Sequence, residues 1–181
     1  MSLTNSFQQI NFPIFLVGFM GSGKTTLGKK ISKSSHIPFI DLDREFVDHS
    51  KMSIADFFAS HGEEKFRDLE SLLLKTMPVD KGVIISTGGG TPCFHDNMEW
   101  MNRAGITVYL KLPPRALLKR LSGKEGVKRP LLQGKSEEEL LAFISDTLGQ
   151  REQYYNQATL IIDAHKVSPG EVIVQILQHN D

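Results

Sequence analysis

The amino-acid sequence predicts an α/β protein in which helices cover both faces of a five-stranded parallel sheet. Apolar, strand-like runs alternate with amphipathic, helix-like runs along the chain, which is the pattern of such a sheet. Serine-led capping signals precede several of the helix-like runs, and a glycine-rich loop joins the first strand to the first helix. The chain has 181 residues, of which 40% are hydrophobic and 23% are charged, so it is long enough to bury one core. We therefore expect residues 1–181 to form a single domain.

The first strand and the loop after it indicate a nucleotide site. Residues 12–17 are an apolar run typical of a buried strand, residues 18–25 fit the phosphate-binding pattern G-x-x-x-x-G-K-[ST], and a helical pattern follows. In such a loop, backbone N–H groups bind phosphate oxygens, the lysine reaches the β- and γ-phosphates, and the next hydroxyl binds Mg²⁺. A chance match in a glycine-rich turn is the alternative, which the flanking strand and helix disfavour. The predicted ATP contacts are Gly21, Ser22, Gly23, Lys24, Thr25 and Thr26, with Thr25 as the Mg²⁺ ligand.

Two aspartates follow the predicted second strand, residues 37–40. Asp41 and Asp43 would face opposite sides if the strand continued through them. One carboxylate would then face Mg²⁺ and the phosphates, and the other would face a second substrate, because ligands bind at the carboxyl ends of parallel strands. The alternative is a pair of solvated carboxylates that start the next helix.

A capping box at residues 53–56 predicts a short helix, and residues 63–74 predict another with an apolar face. The second of these helices carries Arg67, with Glu70 three positions later. Two interpretations remain open: a surface ion pair of little energetic value, or a glutamate that orients the arginine to grip a carboxylate or phosphate. Sequence spacing alone does not separate them.

Three consecutive glycines follow the next buried strand, residues 83–85. A turn needs one glycine or two, so Gly88, Gly89 and Gly90 together indicate that a ligand approaches the backbone closely. A flexible turn is the alternative.

The second half of the chain continues the alternation. Residues 106–110 predict a strand and residues 115–121 a helix, followed by a basic loop around Arg129 that suits a lid closing over ATP; a solvated linker is the alternative. A capping box at Ser136 begins a helix that runs to about residue 155 and carries Arg151, whose alternative role is a favourable cation near a helix C-terminus. Residues 159–163 predict the last strand, and Ser168 precedes the terminal helix, residues 172–177.

Composition excludes several classes of protein. The formal net charge is zero, which argues against nucleic-acid binding. No apolar run reaches the ~20 residues of a membrane span, and no signal peptide is visible, so we expect a cytoplasmic protein. Cys93 is the only cysteine, which permits no internal disulfide and fits a small apolar filler. The six histidines lack metal-ligand spacing, so Mg²⁺ brought with ATP is the expected metal.

These motifs together resemble the shikimate kinase family. A GTPase would need an N-K-x-D segment, which is absent. The resemblance covers most of the chain and rests on motifs that stand in the family's order: residues 18–25, 41–43, Phe66-Arg67 with Glu70, 88–90 and 129–132, together with Arg151 and Tyr155.

The resemblance implies a three-layer P-loop kinase fold similar to nucleoside monophosphate kinases, with strand order 2-3-1-4-5. It implies a substrate-binding subdomain at about residues 43–75 and a lid at about 122–136. The implied activity is transfer of the γ-phosphate of ATP to the 3-hydroxyl of shikimate, a step toward chorismate and the aromatic amino acids. We expect a monomer whose partners are these two small molecules, with no membrane and no nucleic acid.

The resemblance also implies roles for single residues. Lys24, Asp43 and Arg129 would be catalytic, and Asp41 would support Mg²⁺ through water. Arg129 and Ser168 would join the ATP contacts, Ser168 in a loop at 166–169 that differs from the family's usual adenine loop. The implied shikimate contacts are Asp43, Arg67, Gly88, Gly89, Gly90 and Arg151.

Two alternatives remain at this point. One is a kinase of the same fold for another substrate, such as gluconate or a nucleotide. The other is a regulatory module in which ATP orders the lid for a protein partner.

Overall fold

The fold, described from a computed structural model, is a five-stranded parallel sheet with helices on both faces. The structure describes residues 10–122, 136–165 and 167–180. The strand order is β2-β3-β1-β4-β5, as the family resemblance implied. The strands are β1 Pro13–Val17, β2 Phe39–Asp41, β3 Val83–Ser86, β4 Ile106–Lys111 and β5 Leu160–Asp163.

The helices that connect the strands begin and end close to the predicted positions, with two additions. They are α1 Lys24–Ser35, α2 Leu42–Ser50, α3 Ile54–Lys75, α4 Asn97–Ala104, α5 Pro114–Leu121, α6 Glu137–Tyr155 and α7 Pro169–Asn180, with a short 3₁₀ helix at Thr91–Cys93. Helices α2 and α4 were not among the predicted elements. Among the described helices, none combines the length and the apolar character needed to cross a bilayer.

The three central strands, β1, β3 and β4, are buried on both faces, which explains their continuous apolar sequences. Alternate residues of one strand enter different cores: Phe15 and Val17 pack on one side, whereas Ile14 and Leu16 pack on the other. Side chains of α4, α5 and α6 complete the first core, and those of α1 and α7 complete the second. A third, smaller cluster of Phe46, Phe57 and Phe66 joins α2 to α3 beside the sheet.

The central strands bring their carboxyl ends to one edge, where the predicted site residues follow them. Leu16 pairs with Ser86, and Ser86 pairs with Asp41. The ends of β1, β3 and β2 therefore lie side by side, and the phosphate loop, the glycine turn and the aspartate pair begin at neighbouring points.

Strand β2 does not continue through both aspartates, so the condition for their facing opposite sides is not met, and they start the next helix as the alternative had it. The strand ends at Asp41, whose Oδ1 accepts the N–H of Arg44 at 3.4 Å and caps α2. Asp43 accordingly lies in the first turn of that helix, where a carboxylate is favoured by the helix dipole.

Helix α3 contains both predicted helices of this region. Gly62 interrupts it with φ 82° and ψ 172°, a conformation that favours glycine. The predicted capping serines begin their helices: Ser53 Oγ accepts the N–H of Asp56 at 3.1 Å, and Ser136 and Glu139 form a complete capping box.

Candidate active site

The loop between β1 and α1 has the backbone of a phosphate-binding loop. Gly18, Gly21 and Gly23 have φ angles of 136°, 78° and 102°, a region that residues with a Cβ rarely adopt. Lys24 is buried, and its Nζ donates to the carbonyl oxygens of Gly18 at 2.7 Å and Phe19 at 3.0 Å. The loop therefore curls around its own lysine, directly in front of the N-terminus of α1.

A cleft of about 420 Å³ opens beside this loop. The phosphate loop, the start of α1, the end of α5 and the chain after β5 form its walls. Ser22 lies in that wall, and its Oγ is buried without a hydrogen-bond partner in the part of the chain that the structure describes. The predicted contact Thr26 also faces the cleft.

Arg120, at the end of α5, is a cleft residue that the sequence analysis missed. Its Nη1 donates to the carbonyl oxygens of Ser22 at 2.8 Å and Gly21 at 3.3 Å, and its Nη2 donates to that of Ala164 at 3.2 Å. Arg120 thereby ties the phosphate loop to the chain after β5. No motif marked it, because an arginine on the polar side of an amphipathic helix is typical of solvent-facing positions.

The segment at 166–169, predicted to meet the adenine, lies at the same cleft. Val167 and Pro169 line it, whereas Lys166 lies outside the described residues. The Ser168 hydroxyl accepts the N–H of Glu171 at 3.3 Å, and Glu171 Oε2 accepts the N–H of Ser168 at 2.7 Å. This reciprocal pair fixes the start of α7 at the wall of the cleft.

Oxygen groups suited to Mg²⁺ meet where β1, β2 and β3 end. Thr25 Oγ1 donates to Asp41 Oδ2 at 2.8 Å and lies 3.3 Å from Ser86 Oγ. Hydroxyl and carboxylate oxygens are ligands that Mg²⁺ accepts, with waters and phosphate oxygens completing the shell. Within the described ranges, no cluster of three or more His, Cys, Asp or Glu side chains is arranged to hold a metal alone. Ser86, which is buried, was not predicted, because a strand-terminal serine carries no motif.

Asp43 reaches the glycine turn from α2. A Cβ atom added to Gly88 would lie 3.0 Å from Asp43 Oδ1 and 2.8 Å from Glu70 Oε1. Two carboxylates from different helices therefore approach the same backbone carbon, which only a residue without a side chain allows.

Arg67 is held from several sides. Its Nη1 donates to Glu70 Oε2 at 2.9 Å, and its Nε and Nη2 donate to Glu63 Oε1 at 3.2 Å and 3.1 Å. The side chain of Glu70 is 2% exposed and that of Arg67 is 11% exposed, so the interpretation of Arg67 and Glu70 as a surface ion pair is wrong. A Cβ atom at Gly90 would lie 2.7 Å from both Arg67 Nη atoms.

A buried hydrogen-bond network stands behind Arg67. Glu70 Oε1 accepts the Thr91 hydroxyl at 2.7 Å, Asn97 Nδ2 donates to the Thr91 carbonyl at 3.0 Å, and Ser71 Oγ donates to Asn97 Oδ1 at 2.6 Å. Burial raises the pKa of Glu70 above its usual range, and the charge of Arg67 and the Thr91 hydrogen bond partly oppose this. The network fixes Glu70, and through it the orientation of Arg67.

Gly89 joins the phosphate loop to the end of α6. A Cβ atom at Gly89 would lie 3.2 Å from the backbone nitrogen of Met20 and 3.5 Å from Arg151 Nη1. The buried Tyr155 hydroxyl donates to the Gly89 carbonyl oxygen, and the Arg151 guanidinium carbon lies 5.8 Å from the ring centre of Phe19. The glycines at 88–90 are therefore packed between elements rather than forming a free turn.

Cys93 lies just beyond this turn, half-buried against the core. Burial raises the pKa of its thiol to about 11, although Arg151 and Arg67 oppose the shift. The thiol stays protonated at neutral pH, in keeping with a filler rather than a nucleophile.

The predicted lid, residues 122–136, lies almost wholly outside the described residues, and Arg129 lies outside them too. Helix α5 ends at Leu121 and α6 begins at Glu137, so both attachment points of that segment are described.

Comparison with known proteins agrees with this arrangement. The family model described as shikimate kinase matches residues 20–180. The shikimate kinase of Bacteroides fragilis is 47% identical over 91% of this chain and 92% of the relative. A crystal structure of the shikimate kinase of Bacteroides thetaiotaomicron superposes with a TM-score of 0.83 at 43% identity, over 93% of this chain and 97% of the other. The shikimate kinase of Acinetobacter baumannii in complex with shikimate superposes with a TM-score of 0.80 at 31% identity, over 97% and 95% of the two chains. The chain therefore belongs to the shikimate kinase family.

Proposed function

We infer that this protein transfers the γ-phosphate of ATP to the 3-hydroxyl of shikimate, giving shikimate 3-phosphate and ADP. One observation carries the inference: Asp43, Arg67 and Arg151 converge on a glycine turn that also touches the phosphate loop. A site with two arginines and one carboxylate suits a small acid that also carries hydroxyl groups. The family places this reaction on the route to chorismate and the aromatic amino acids.

The nucleotide half of the site comprises the phosphate loop and the adjacent cleft. The loop N–H groups and Lys24 bind the phosphates, and the lysine exchanges its two carbonyl partners for phosphate oxygens when ATP enters. The cleft beside Arg120 and the segment at 166–169 receive the nucleoside. Ser22 Oγ would donate to a phosphate oxygen, which its burial without a partner in the described part of the chain supports.

The donor set at the strand ends fits Mg²⁺. Thr25 would hold the ion and Asp41 would support it through water, a role that the hydrogen bond between Thr25 and Asp41 and the neighbouring Ser86 hydroxyl support. When bound, the ion neutralises charge on the phosphates.

The acceptor half positions shikimate rather than activating it strongly. Arg67 and Arg151, from different helices, hold the carboxylate and fix the ring. Asp43 accepts a hydrogen bond from the reacting hydroxyl. Because the transition state of phosphoryl transfer is loose, alignment and charge neutralisation matter more than a strong base, and Asp43 acts mainly by orienting the hydroxyl.

The segment at 122–136 acts as a lid that brings Arg129 to ATP. A closed lid excludes water, which otherwise competes as the phosphoryl acceptor.

We also propose that the enzyme is a cytoplasmic monomer, since one chain supplies every group named above.

An ADP-release assay with a panel of acceptors tests this function. The protein is mixed with Mg²⁺ and ATP, and shikimate, gluconate and a nucleoside monophosphate are compared as acceptors, with Lys24→Ala as the inactive control. We expect ADP release that depends on shikimate and yields shikimate 3-phosphate. Turnover with gluconate or the nucleotide but not with shikimate would assign a different substrate, and ATP binding without any acceptor-dependent turnover would favour a regulatory module.

A further inference from the structure

The chain that follows the glycine turn is fastened along helix α3, which carries Arg67. Residues 91–97, which we name the docking segment, contact this helix at five of its residues. The pairs are Thr91 with Glu70, Phe94 with Arg67, His95 with Asp68, Asp96 with Lys75 and Asn97 with Ser71.

Phe94 is the member of this segment that faces Arg67. The guanidinium carbon of Arg67 lies 4.1 Å from the centre of the Phe94 ring, closer than the 5.0 Å to Phe66 and the 5.9 Å to Phe58. A cation over an aromatic face is attracted by the quadrupole of the ring, and the attraction grows when water is excluded. The side chain of Arg67 is only 11% exposed, so its cation–π contact with Phe94 is stronger than one on an exposed surface.

The backbone after Phe94 is held in an uncommon conformation. His95 has a φ of 51°, which residues other than glycine rarely adopt and which neighbouring contacts must stabilise. His95 Nε2 lies 3.3 Å from Asp68 Oδ1, and Asp96 pairs with Lys75. The left-handed residue thus lets Phe94 and Asp96 both contact α3, and the side-chain contacts of His95 and Asp96 fasten the chain directly after the ring.

Phe94 contacts Arg67 in a different way from Glu63 and Glu70. The two glutamates take N–H donors at the edges of Arg67. The Phe94 ring contacts the guanidinium without taking any N–H donor, so it restrains Arg67 without competing with an acceptor for those donors.

We propose that Phe94 is a positioning residue that sets the affinity of Arg67 for the carboxylate of the acceptor. The proposal rests on the function inferred above. It assigns to the docking segment a part in substrate selection, through a residue that touches the arginine rather than the substrate.

Steady-state kinetics on variants of Phe94 test the proposal. Phe94→Leu keeps an apolar side chain but removes the ring, and we expect the KM for shikimate to rise about 3- to 30-fold, the range of a cation–π contact. The KM for ATP and kcat should change by less than about twofold, because the arginine that Phe94 contacts belongs to the acceptor half. Phe94→Tyr retains the ring, so its KM for shikimate should stay within about twofold of the wild-type value.

Two further comparisons separate positioning from packing. In an Arg67→Ala background, Phe94→Leu should cause no further loss of kcat/KM for shikimate, because the ring acts through the arginine. Thermal melting of each variant shows whether a kinetic change follows unfolding. An unchanged KM for shikimate in Phe94→Leu, or a failure of Phe94→Tyr to rescue it in a folded protein, overturns the proposal while leaving the kinase function intact. Absence of shikimate turnover in the wild type overturns the function itself and the proposal with it.

Discussion

Two glycine-rich segments meet at the active site, and they use glycine for different reasons. In the loop at 18–23, glycines adopt φ angles between 78° and 136°, so the backbone conformation requires them. None of the three glycines at 88–90 has a positive φ, but a Cβ atom on each would lie 2.7 to 3.2 Å from a neighbouring polar atom. The first segment needs glycine to bend around phosphate, and the second needs it for clearance.

This difference reflects how each half of the site is built. The phosphate loop is continuous in sequence, and its conformation is largely local. The acceptor half is assembled from α2, α3, the glycine turn and α6, so it depends on how distant elements pack. Changes in the first half should affect chemistry and ATP, whereas changes in the second should affect mainly the acceptor.

The largest effect is expected at the lysine of the phosphate loop. Lys24→Ala removes the cation that we propose neutralises the transferring group, together with the two hydrogen bonds to the carbonyl oxygens of the loop. We expect kcat to fall by about 1,000-fold, measured as shikimate-dependent ADP release. Lys33→Ala, at an exposed position in the last turn of the same helix, is the matched control and should keep wild-type kcat. A small loss in Lys24→Ala would place the essential charge elsewhere.

Removing the arginine of α3 tests the acceptor half. Arg67→Ala should raise the KM for shikimate about 100-fold, since truncating one partner of a charged, desolvated contact costs several kcal/mol, while the KM for ATP should change little. The variant should also melt at a lower temperature, because Glu70 remains buried without its main partner. If the KM for shikimate stayed at the wild-type value, the assigned role of Arg67 would be wrong.

The rate at which the Cys93 thiol is alkylated measures how well this part of the acceptor half is buried. With a pKa raised from 9.0 to about 11, the thiolate fraction at pH 7.5 is lower by about 100-fold, and alkylation by iodoacetamide should slow by about the same factor. Since the thiolate is the reactive form, the rate should rise steeply as pH increases toward 11. The protein unfolded in urea serves as the control. Equal rates in the folded and unfolded protein would contradict the burial of Cys93.

Alanine substitutions at Gly90 and Gly23 distinguish the need for clearance from the need for an unusual backbone conformation. Gly90 has a φ of −93°, which alanine adopts readily, so Gly90→Ala should act only by displacing Arg67 and raise the KM for shikimate about 10-fold or more. Gly23 has a φ of 102°, so Gly23→Ala should strain the phosphate loop and raise the KM for ATP instead. Both constants are measured for both variants.

A third glycine provides the control for this pair. Gly149 lies within α6, and a Cβ atom there would meet no other side chain or segment of the described residues within 4 Å. Gly149→Ala should leave both KM values unchanged and stabilise the helix by about 0.5–1 kcal/mol. If Gly90→Ala raised the KM for ATP as much as the KM for shikimate, the proposed difference between the two glycine segments would be wrong.

The same distinction explains what could be predicted from the sequence. The phosphate loop, the strands and most helices follow from local patterns, and the strand order implied by the family resemblance was confirmed. Ser86, Arg120 and Phe94 were missed, because each gains its position only when distant segments pack together. Helix α4 was also missed, although a parallel connection from β3 to β4 calls for a crossover helix.

Packing likewise decides whether Arg67 and Glu70 form a surface ion pair or a buried pair in which Glu70 orients the arginine. A spacing of three residues on a helix is the same for an exposed ion pair and a buried one. Only the arrival of Thr91, Phe94 and Gly90 from another part of the chain buries Glu70 and encloses the arginine. The backbone of Asp41 could not be predicted either, because aspartate suits both a strand end and a helix cap.

The central position of β1 has a consequence for how the protein folds. This strand begins at Pro13, but its neighbours in the sheet start about 70 and about 90 residues later, at Val83 and Ile106. Such long closures are slow, because chain entropy is lost before the contacts that repay it form. During synthesis the phosphate loop leaves the ribosome early, yet both of its flanking strands exist only after residue 111 has been added. The phosphate loop is therefore held between its two neighbouring strands only long after it has been made.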